Sequence, residues 1–278
     1  MPLRRKERQN EMAVYTDIAD EIYQKSRGEV PPGVRLSTAR SGAITLNRVH
    51  ITRPGLARPM GRYVTLNLPS VAVLDDKDER YIAAIAAELR RLLPPSGPVL
   101  VVGVGNRRVT ADALGPRTAG QILVTRGVAP HSPAASLGLR EVAAISPGVS
   151  GATGIPLTQL LAGLVRSMRP AAVLCVDSLS GSDPARLGRT VQLTDTGLSP
   201  LRPESGRCVT RETIGAPVLA VGLPTMMEAG ELCGEKGLVL TPRDLDSVVR
   251  KGSSLLALAI NKALQQRLTI PEISYLAS

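Results

Sequence analysis

The chain has 278 residues, 43% of them hydrophobic, and carries a formal net charge of +10. This composition predicts a folded protein with a sizeable core and excludes disordered and fibrous classes. Trp and Phe are absent and only 5 Tyr occur, which leaves little aromatic surface for stacking nucleic-acid bases. We therefore interpret the positive charge mainly as a solvated basic surface and expect no direct nucleic-acid partner.

The sequence also disfavours several classes of protein and of catalytic site. The sequence has neither the apolar run of a membrane-spanning helix nor that of a signal peptide, so we expect a cytoplasmic protein without membrane contact. Cys175, Cys208 and Cys233 are widely spaced and fit a reducing compartment. The only histidines are His50 and His131, which disfavours Ser-His, Cys-His and histidine-metal sites. We predict neither a metal nor another cofactor.

The hydrophobic pattern changes along the chain. Residues 1 to about 40 are polar, show no strong periodicity and predict an extension. Beyond them, buried runs alternate with helical spacing. The predicted strands are 62–68, 99–103, 142–145, 171–177, 190–197 with its turn, and 216–224; the predicted helices are 81–93, 112–125, 157–168 and a long one from 241 onward. This alternation predicts the α/β class, with a doubly wound, mostly parallel sheet flanked by helices.

The stretch 99–116 has the layout of a site. A buried strand ends at Gly103 and Gly105, and a polar loop with Asn106 then leads to Asp112 at the start of a helical pattern. A dinucleotide-binding Gly-x-Gly-x-x-Gly would need a third glycine where Arg108 stands, so we interpret the two glycines as allowing close approach of the backbone to a site.

The loop 146–154 is made almost entirely of small residues. Its sequence, SPGVSGATG, includes Gly148 and Gly151 and precedes a predicted helix. Such a loop allows an extended peptide to run close to the backbone, although an ordinary strand-to-helix connection is the simpler interpretation.

A second buried run, 171–177, also ends on a carboxylate, Asp177. Parallel strands bring their carboxyl ends to one edge of the sheet, so Asp112 and Asp177 are candidates for a catalytic pair. Two nearby carboxylates share a proton, and one can accept a proton from water while the other donates one to a leaving group. The structural alternative is that Asp112 caps a helix and Asp177 merely ends a strand.

Five strings carry a family resemblance. They are GRYVTL at 61–66, VVGVGN at 101–106, TADALGP at 110–116, SPGVSGATG at 146–154 and ETIGAPVLAVGLPT at 212–225. In this order they resemble the germination protease family of spore-forming bacteria. The resemblance implies a fold similar to that of hydrogenase-maturation peptidases. It also implies an endopeptidase that degrades small acid-soluble spore proteins during germination, in the cytoplasm of the forespore and the spore core. The family's proposed aspartic pair falls on Asp112 and Asp177, and the predicted site-framing or substrate-binding residues are Gly103, Gly105, Asn106, Gly148 and Gly151.

The family is also made as a zymogen, often tetrameric, whose N-terminal segment is removed by self-cleavage. Its substrates are cut after Glu and before an apolar residue followed by Ala, and Asp17-Ile18-Ala19 resembles an acidic variant of that site. We predict cleavage between Asp17 and Ile18, which divides the chain into a propeptide, 1–17, and a single α/β peptidase domain, 18–278, with an irregular N-terminal portion. The expected partners are small acid-soluble spore proteins and three further copies in a homotetramer.

Two other functions stay open at this point. A metal-dependent, maturation-type peptidase would use the same carboxylates as ligands. A basic nucleic-acid-binding spore protein without activity would use the net charge of +10. The loop 198–211 is more charged and richer in proline than is usual in the family, so the resemblance leaves the substrate contacts of this loop open.

Overall fold

The computed structural model describes residues 16–24, 30–74, 78–128, 137–199, 208–229 and 238–277. Most of the predicted propeptide, His131, Cys233 and the centre of the divergent loop lie outside these residues. Among the helices in the described ranges, none is long and apolar enough to cross a membrane.

One mixed sheet organises the described residues. Its strands are β1 Val34–Ser41, β2 Ile44–Ile51, β3 Gly61–Asn67, β4 Val99–Gly103, β5 Val142–Ile145, β6 Ala172–Gly181, β7 Thr190–Thr194, β8 Val218–Glu228 and β9 Val239–Leu240. Their spatial order is β1-β2-β3-β7-β8-β6-β4-β5, and β9 pairs with β8. The neighbours β5, β4, β6 and β8 run parallel, whereas β1, β2, β3 and β7 form an antiparallel half that joins β8 through β7.

Helices cover both faces of the sheet. They are α1 Ala19–Gln24, α2 Glu79–Leu92, α3 Leu114–Ala119, α4 Ser150–Thr153, α5 Leu157–Met168, α6 Arg211–Ile214, α7 Leu245–Leu264 and α8 Ile270–Leu276. Side chains alternate between the faces of a strand, so Val101 of β4 joins the core with α2 and α7, while Leu100 and Val102 join the core with α5. The prediction of an α/β fold with parallel strands and flanking helices is confirmed.

The N-terminal part of the domain is more regular than predicted. Instead of an extension to about residue 40 and an irregular portion, β1 and β2 form an antiparallel hairpin whose turn begins at Gly42, with φ +56°. Seven of the eight residues of β1 are exposed. An exposed edge strand such as β1 has no regular apolar alternation to detect. The glycine that starts the two-residue turn and the buried apolar residues of β2 were usable signals.

Two predicted boundaries next to the candidate site are also corrected. The strand β6 does not end at Asp177 but continues to Gly181, because Ser178–Gly181 still pair with β8. The predicted helix 112–125 is instead a 3-10 turn, Thr110–Asp112, followed by the short helix α3. Gly120 follows α3 directly, and glycine disfavours continuation of a helix.

Candidate active site

Asp112 and Asp177 line one cavity of about 520 Å³. Asp112 follows β4 in the 3-10 turn, and Asp177 lies within the adjacent strand β6. The two residues are only 9% and 8% exposed. The structure therefore brings both predicted carboxylates to the wall of one cavity.

The position of Asp112 is set by contacts with its own turn and with β8. Its Oδ2 accepts a hydrogen bond of 2.8 Å from the backbone N–H of Asn106. The carbonyl of Ala111 accepts one of 2.6 Å from the hydroxyl of Thr225. Pro224 has no N–H to donate, and the pairing of β6 with β8 skips Thr225 at a bulge. The bulge thus directs Thr225 onto the turn that carries Asp112.

The glycines of the predicted site allow the chain to pack against itself. Gly105 has φ +123°, and a Cβ there would lie 2.1 Å from the carbonyl oxygen of Asp112. A Cβ on Gly103 would lie 2.2 Å from the carbonyl oxygen of Gly115 in α3. Only glycine permits these approaches, so Gly103 and Gly105 frame the turn of Asp112 through backbone contacts.

Gly148 and Gly151 are placed elsewhere. Gly148, with φ +78°, precedes α4, and Gly151 lies within α4 with open space beside it. Neither residue lines the cavity of the two aspartates. The structure therefore groups Gly103, Gly105 and Asn106 around Asp112 but leaves these two glycines outside that group.

Asp177 lies in the middle of β6, where the strand is paired with β8 and one residue beyond the end of its pairing with β4. Its Oδ1 accepts a hydrogen bond of 2.8 Å from the N–H of Ser178, and its register partner is Gly222 of β8. A Cβ on Gly222 would lie 2.5 Å from the carbonyl oxygen of Asp177. Two residues earlier, Cys175 is fully buried, and burial together with the charge of Asp177 raises the pKa of its thiol. This thiol therefore stays protonated and is a poor nucleophile.

A third carboxylate, Asp17, lines the same cavity. Its N–H donates to the carbonyl of Ser180 at 2.7 Å, and its Oδ2 accepts from the N–H of Ser180 at 2.8 Å. Gln192 donates from Nε2 to the carbonyl of Asp17 at 2.5 Å and accepts from the N–H of Ala19 at 2.6 Å. The segment that resembles a family cleavage site is thus held in the cavity wall by backbone contacts.

The helix α1 anchors this segment to the domain. Asp20 pairs with Arg186 at 2.7 Å and accepts a hydrogen bond of 2.7 Å from Asn47. Glu21 accepts from the N–H and the hydroxyl of Ser182 at 2.8 and 2.6 Å. These charged groups are almost fully buried, so residues 16–23 are an integrated part of the folded domain.

Sequence reasoning missed several residues of the cavity wall. Arg58 comes from the irregular connection between β2 and β3, where no periodicity points to it. Gln192 and Thr194 come from β7, where polar residues alternate with Val191 and Leu193 and all are buried. A strand with polar residues on a buried face was a usable signal. Among the described residues, no group of three or more His, Cys, Asp or Glu is arranged to hold a metal ion.

Tyr63 adds a neutral hydroxyl to this wall. The hydroxyl donates to the carbonyl of Pro59 at 2.8 Å, and burial raises the pKa of Tyr63 to about 12. The phenol is therefore protonated across the physiological pH range, and it acts as a hydrogen-bond donor rather than as a base.

The chain is similar in sequence to one family of known proteins. The family model described as germination protease matches residues 10–236. A germination protease of Clostridium tetani is 30% identical over 95% of this chain and 100% of its own length. One from Caldanaerobacter subterraneus is 31% identical over 95% of this chain and 98% of its own length. Among solved structures, the [NiFe] hydrogenase maturation protease HycI of Thermococcus kodakarensis is 17% identical, with a TM-score of 0.39 over 62% of this chain and 98% of that chain.

Proposed function

Because this chain belongs to the germination protease family, and is therefore a peptidase of spore germination, we propose that it cleaves small acid-soluble spore proteins with water activated by Asp112 and Asp177. The observation that supports this proposal is the shared cavity, which both carboxylates line together with an acidic segment of the chain itself. The site of action is the forespore and spore core.

The reaction needs two proton transfers. One carboxylate, in its ionised form, takes a proton from water as the water oxygen attacks the carbonyl carbon of the peptide bond. The other, in its protonated form, gives a proton to the amine nitrogen as the carbon–nitrogen bond breaks. Backbone N–H groups of Asn106 and Ser178 fix the orientation of the two carboxylates during these steps.

The direct test is incubation of the purified chain with a small acid-soluble spore protein, followed by mass spectrometry of the products. We expect internal cuts after Glu and before an apolar residue followed by Ala. The rate of cleavage should be the same before and after dialysis of the protein against a chelator. Loss of activity on chelation that a divalent metal restores would instead support the metal-dependent peptidase. Salt-sensitive DNA binding without any cleavage would support the nucleic-acid-binding alternative.

Self-cleavage between Asp17 and Ile18 is part of the same proposal. It is supported by the position of Asp17 in the cavity and by the hydrogen bond from Gln192 to its carbonyl. We expect N-terminal sequencing of the matured protein to begin at Ile18. The full-length Asp112→Asn chain serves as control and should keep its starting mass. A matured N-terminus at any other residue contradicts the assignment.

The expected homotetramer of the mature domain, 18–278, stays a prediction. Size-exclusion chromatography with light scattering tests it, with a mass of four copies as the expected result. A mass that stays at one copy over the accessible concentration range contradicts it.

A further inference from the structure

We propose that Arg58 selects an acidic side chain on the substrate residue that precedes the cleaved bond. The proposal rests on the endopeptidase function above and adds to it the residue that determines specificity. Three features of the cavity support this proposal: the burial of the Arg58 guanidinium, the way in which Asp17 is docked, and the excess of carboxylates in the cavity wall.

Arg58 is a buried cation in the cavity wall. Its side chain is only 6% exposed. Nη1 donates to the carbonyl of Ser199 at 3.0 Å, and Nη2 donates to the carbonyl of Thr16 at 2.5 Å. Nε has no hydrogen-bond partner within the described part of the chain. A buried charge is costly unless an opposite charge faces it, and Asp17 supplies a carboxylate oxygen 3.5 Å from Nη2.

Asp17 is docked in the manner of a bound peptide residue. Its N–H is paired with Ser180, and Gln192 contacts the backbone on both sides of Ile18, at the carbonyl of Asp17 and the N–H of Ala19. These backbone contacts do not involve side chains of the docked segment. The Oδ2 of Asp17 also accepts a hydrogen bond of 2.8 Å from the N–H of Ser180, which the neutral amide oxygen of Gln or Asn can accept as well. The contact with Arg58 instead depends on the charge of the docked side chain, so it is the contact that discriminates a carboxylate from an amide.

The charge balance of the cavity gives Arg58 this role. Asp112, Asp177 and Glu228 also line the wall, and their carboxylates repel an acidic substrate residue. The Arg58 guanidinium offsets that repulsion at the position that Asp17 occupies. Once the segment before Ile18 has left, Arg58 has lost the carboxylate of Asp17 and the carbonyl of Thr16. A substrate with an acidic residue in the position of Asp17 restores the charge partner, and the carbonyl of the residue before it restores the acceptor.

The test uses two peptides that differ only in the residue before the cut, Glu in one and Gln in the other. We expect the mature enzyme to prefer Glu in kcat/KM by roughly 30-fold or more, the effect of removing one partner of a buried charge pair. Arg58→Gln should reduce this preference to less than about threefold, through slower cleavage of the Glu peptide. The ratio of the two rates is measured in one preparation, so it does not depend on the folded fraction.

Arg62→Gln is the matched control. Arg62 pairs with Asp195 at 2.7 Å, is half-exposed and does not line the cavity, so this variant loses the same charge but should keep the preference for Glu. An undiminished preference in Arg58→Gln, or equal cleavage of both peptides by the unsubstituted enzyme, overturns the role of Arg58 while leaving the peptidase function intact. If the unsubstituted enzyme cleaves neither the peptides nor a small acid-soluble spore protein, the proposed peptidase function itself is wrong.

If Arg58→Gln does not fold, the contact between Arg58 and Asp17 can be tested by substitution of Asp17. Asp17→Lys places a cation against Arg58, whereas Asp17→Glu keeps the negative charge. We expect Asp17→Lys to slow self-cleavage by roughly 30-fold or more relative to Asp17→Glu. Equal rates in the two full-length variants overturn the proposal.

Discussion

Asp112→Asn and Asp177→Asn are each expected to slow cleavage of a small acid-soluble spore protein by about 10³-fold or more, because each removes a group that we propose to transfer a proton. Asparagine keeps the volume of aspartate and one carbonyl oxygen, so the hydrogen bonds from the backbone N–H groups of Asn106 and Ser178 can persist. The substitutions then slow the chemical step, so kcat should fall with little change in KM.

The measurement is the initial rate of substrate loss, with circular dichroism of each variant as the check on folding. Asp183→Asn is the matched control, since Asp183 follows β6 and caps a 3-10 turn by accepting from the N–H of Ala185 at 2.9 Å, but does not line the cavity. The double variant should be about as slow as either single one, since groups that act in one step are not additive. Normal cleavage by either folded single variant removes that residue from the mechanism.

Gly115→Ala is expected to destabilise the protein by about 3 kcal/mol or to prevent its folding. A Cβ at this position would lie 2.3 Å from the carbonyl oxygens of both Val104 and Val176. These atoms belong to the backbone after β4 and in β6, which cannot rotate away as a side chain can. The helix α3 would have to move off the sheet, and the turn with Asp112 directly precedes that helix.

Denaturant unfolding followed by circular dichroism measures the effect, and Gly120→Ala is the control. Gly120 lies just beyond the same helix with φ −68°, and a Cβ there would meet nothing closer than 3.7 Å. This substitution should be neutral or stabilise by up to about 1 kcal/mol, because alanine restricts the unfolded chain more than glycine does. Similar stabilities for the two variants would contradict the close packing at Gly115.

The parts of the fold that could be predicted from the sequence are those with a buried face. The helix α5 has the predicted boundaries, and the strands β4, which is fully buried, and β5, which is partly buried, lie where the apolar runs predicted them. The strand β1 could not be predicted in the same way, because seven of its eight residues are exposed. Its partner β2 has buried apolar residues, a signal that sequence reasoning missed. The end of β6 was misjudged because Ser178 and Ser180 are polar yet remain paired.

The same distinction applies to the candidate site: residues next to apolar runs could be predicted from the sequence, and residues from irregular segments could not. Asp112 and Asp177 could be found because each is a carboxylate at or near the end of an apolar run. Arg58 could not, since it comes from an irregular connection and meets Asp17 only after long-range folding. Contacts between segments far apart in the chain leave no local pattern, and so the cavity wall facing the two aspartates emerged only from the three-dimensional arrangement.

The position of Asp177 inside β6 limits the motions that can displace its carboxylate. The ten-residue strand is buried along nearly its whole length, and it pairs with β8 from Val173 to Gly181 and with β4 from Ala172 to Val176. Buried, paired strands open at free energies that approach that of global unfolding, whereas loops and chain ends open more easily. Fraying of loops and chain ends therefore leaves Asp177 at the cavity. The carboxylate that we propose for catalysis is thus held at the cavity before any substrate binds.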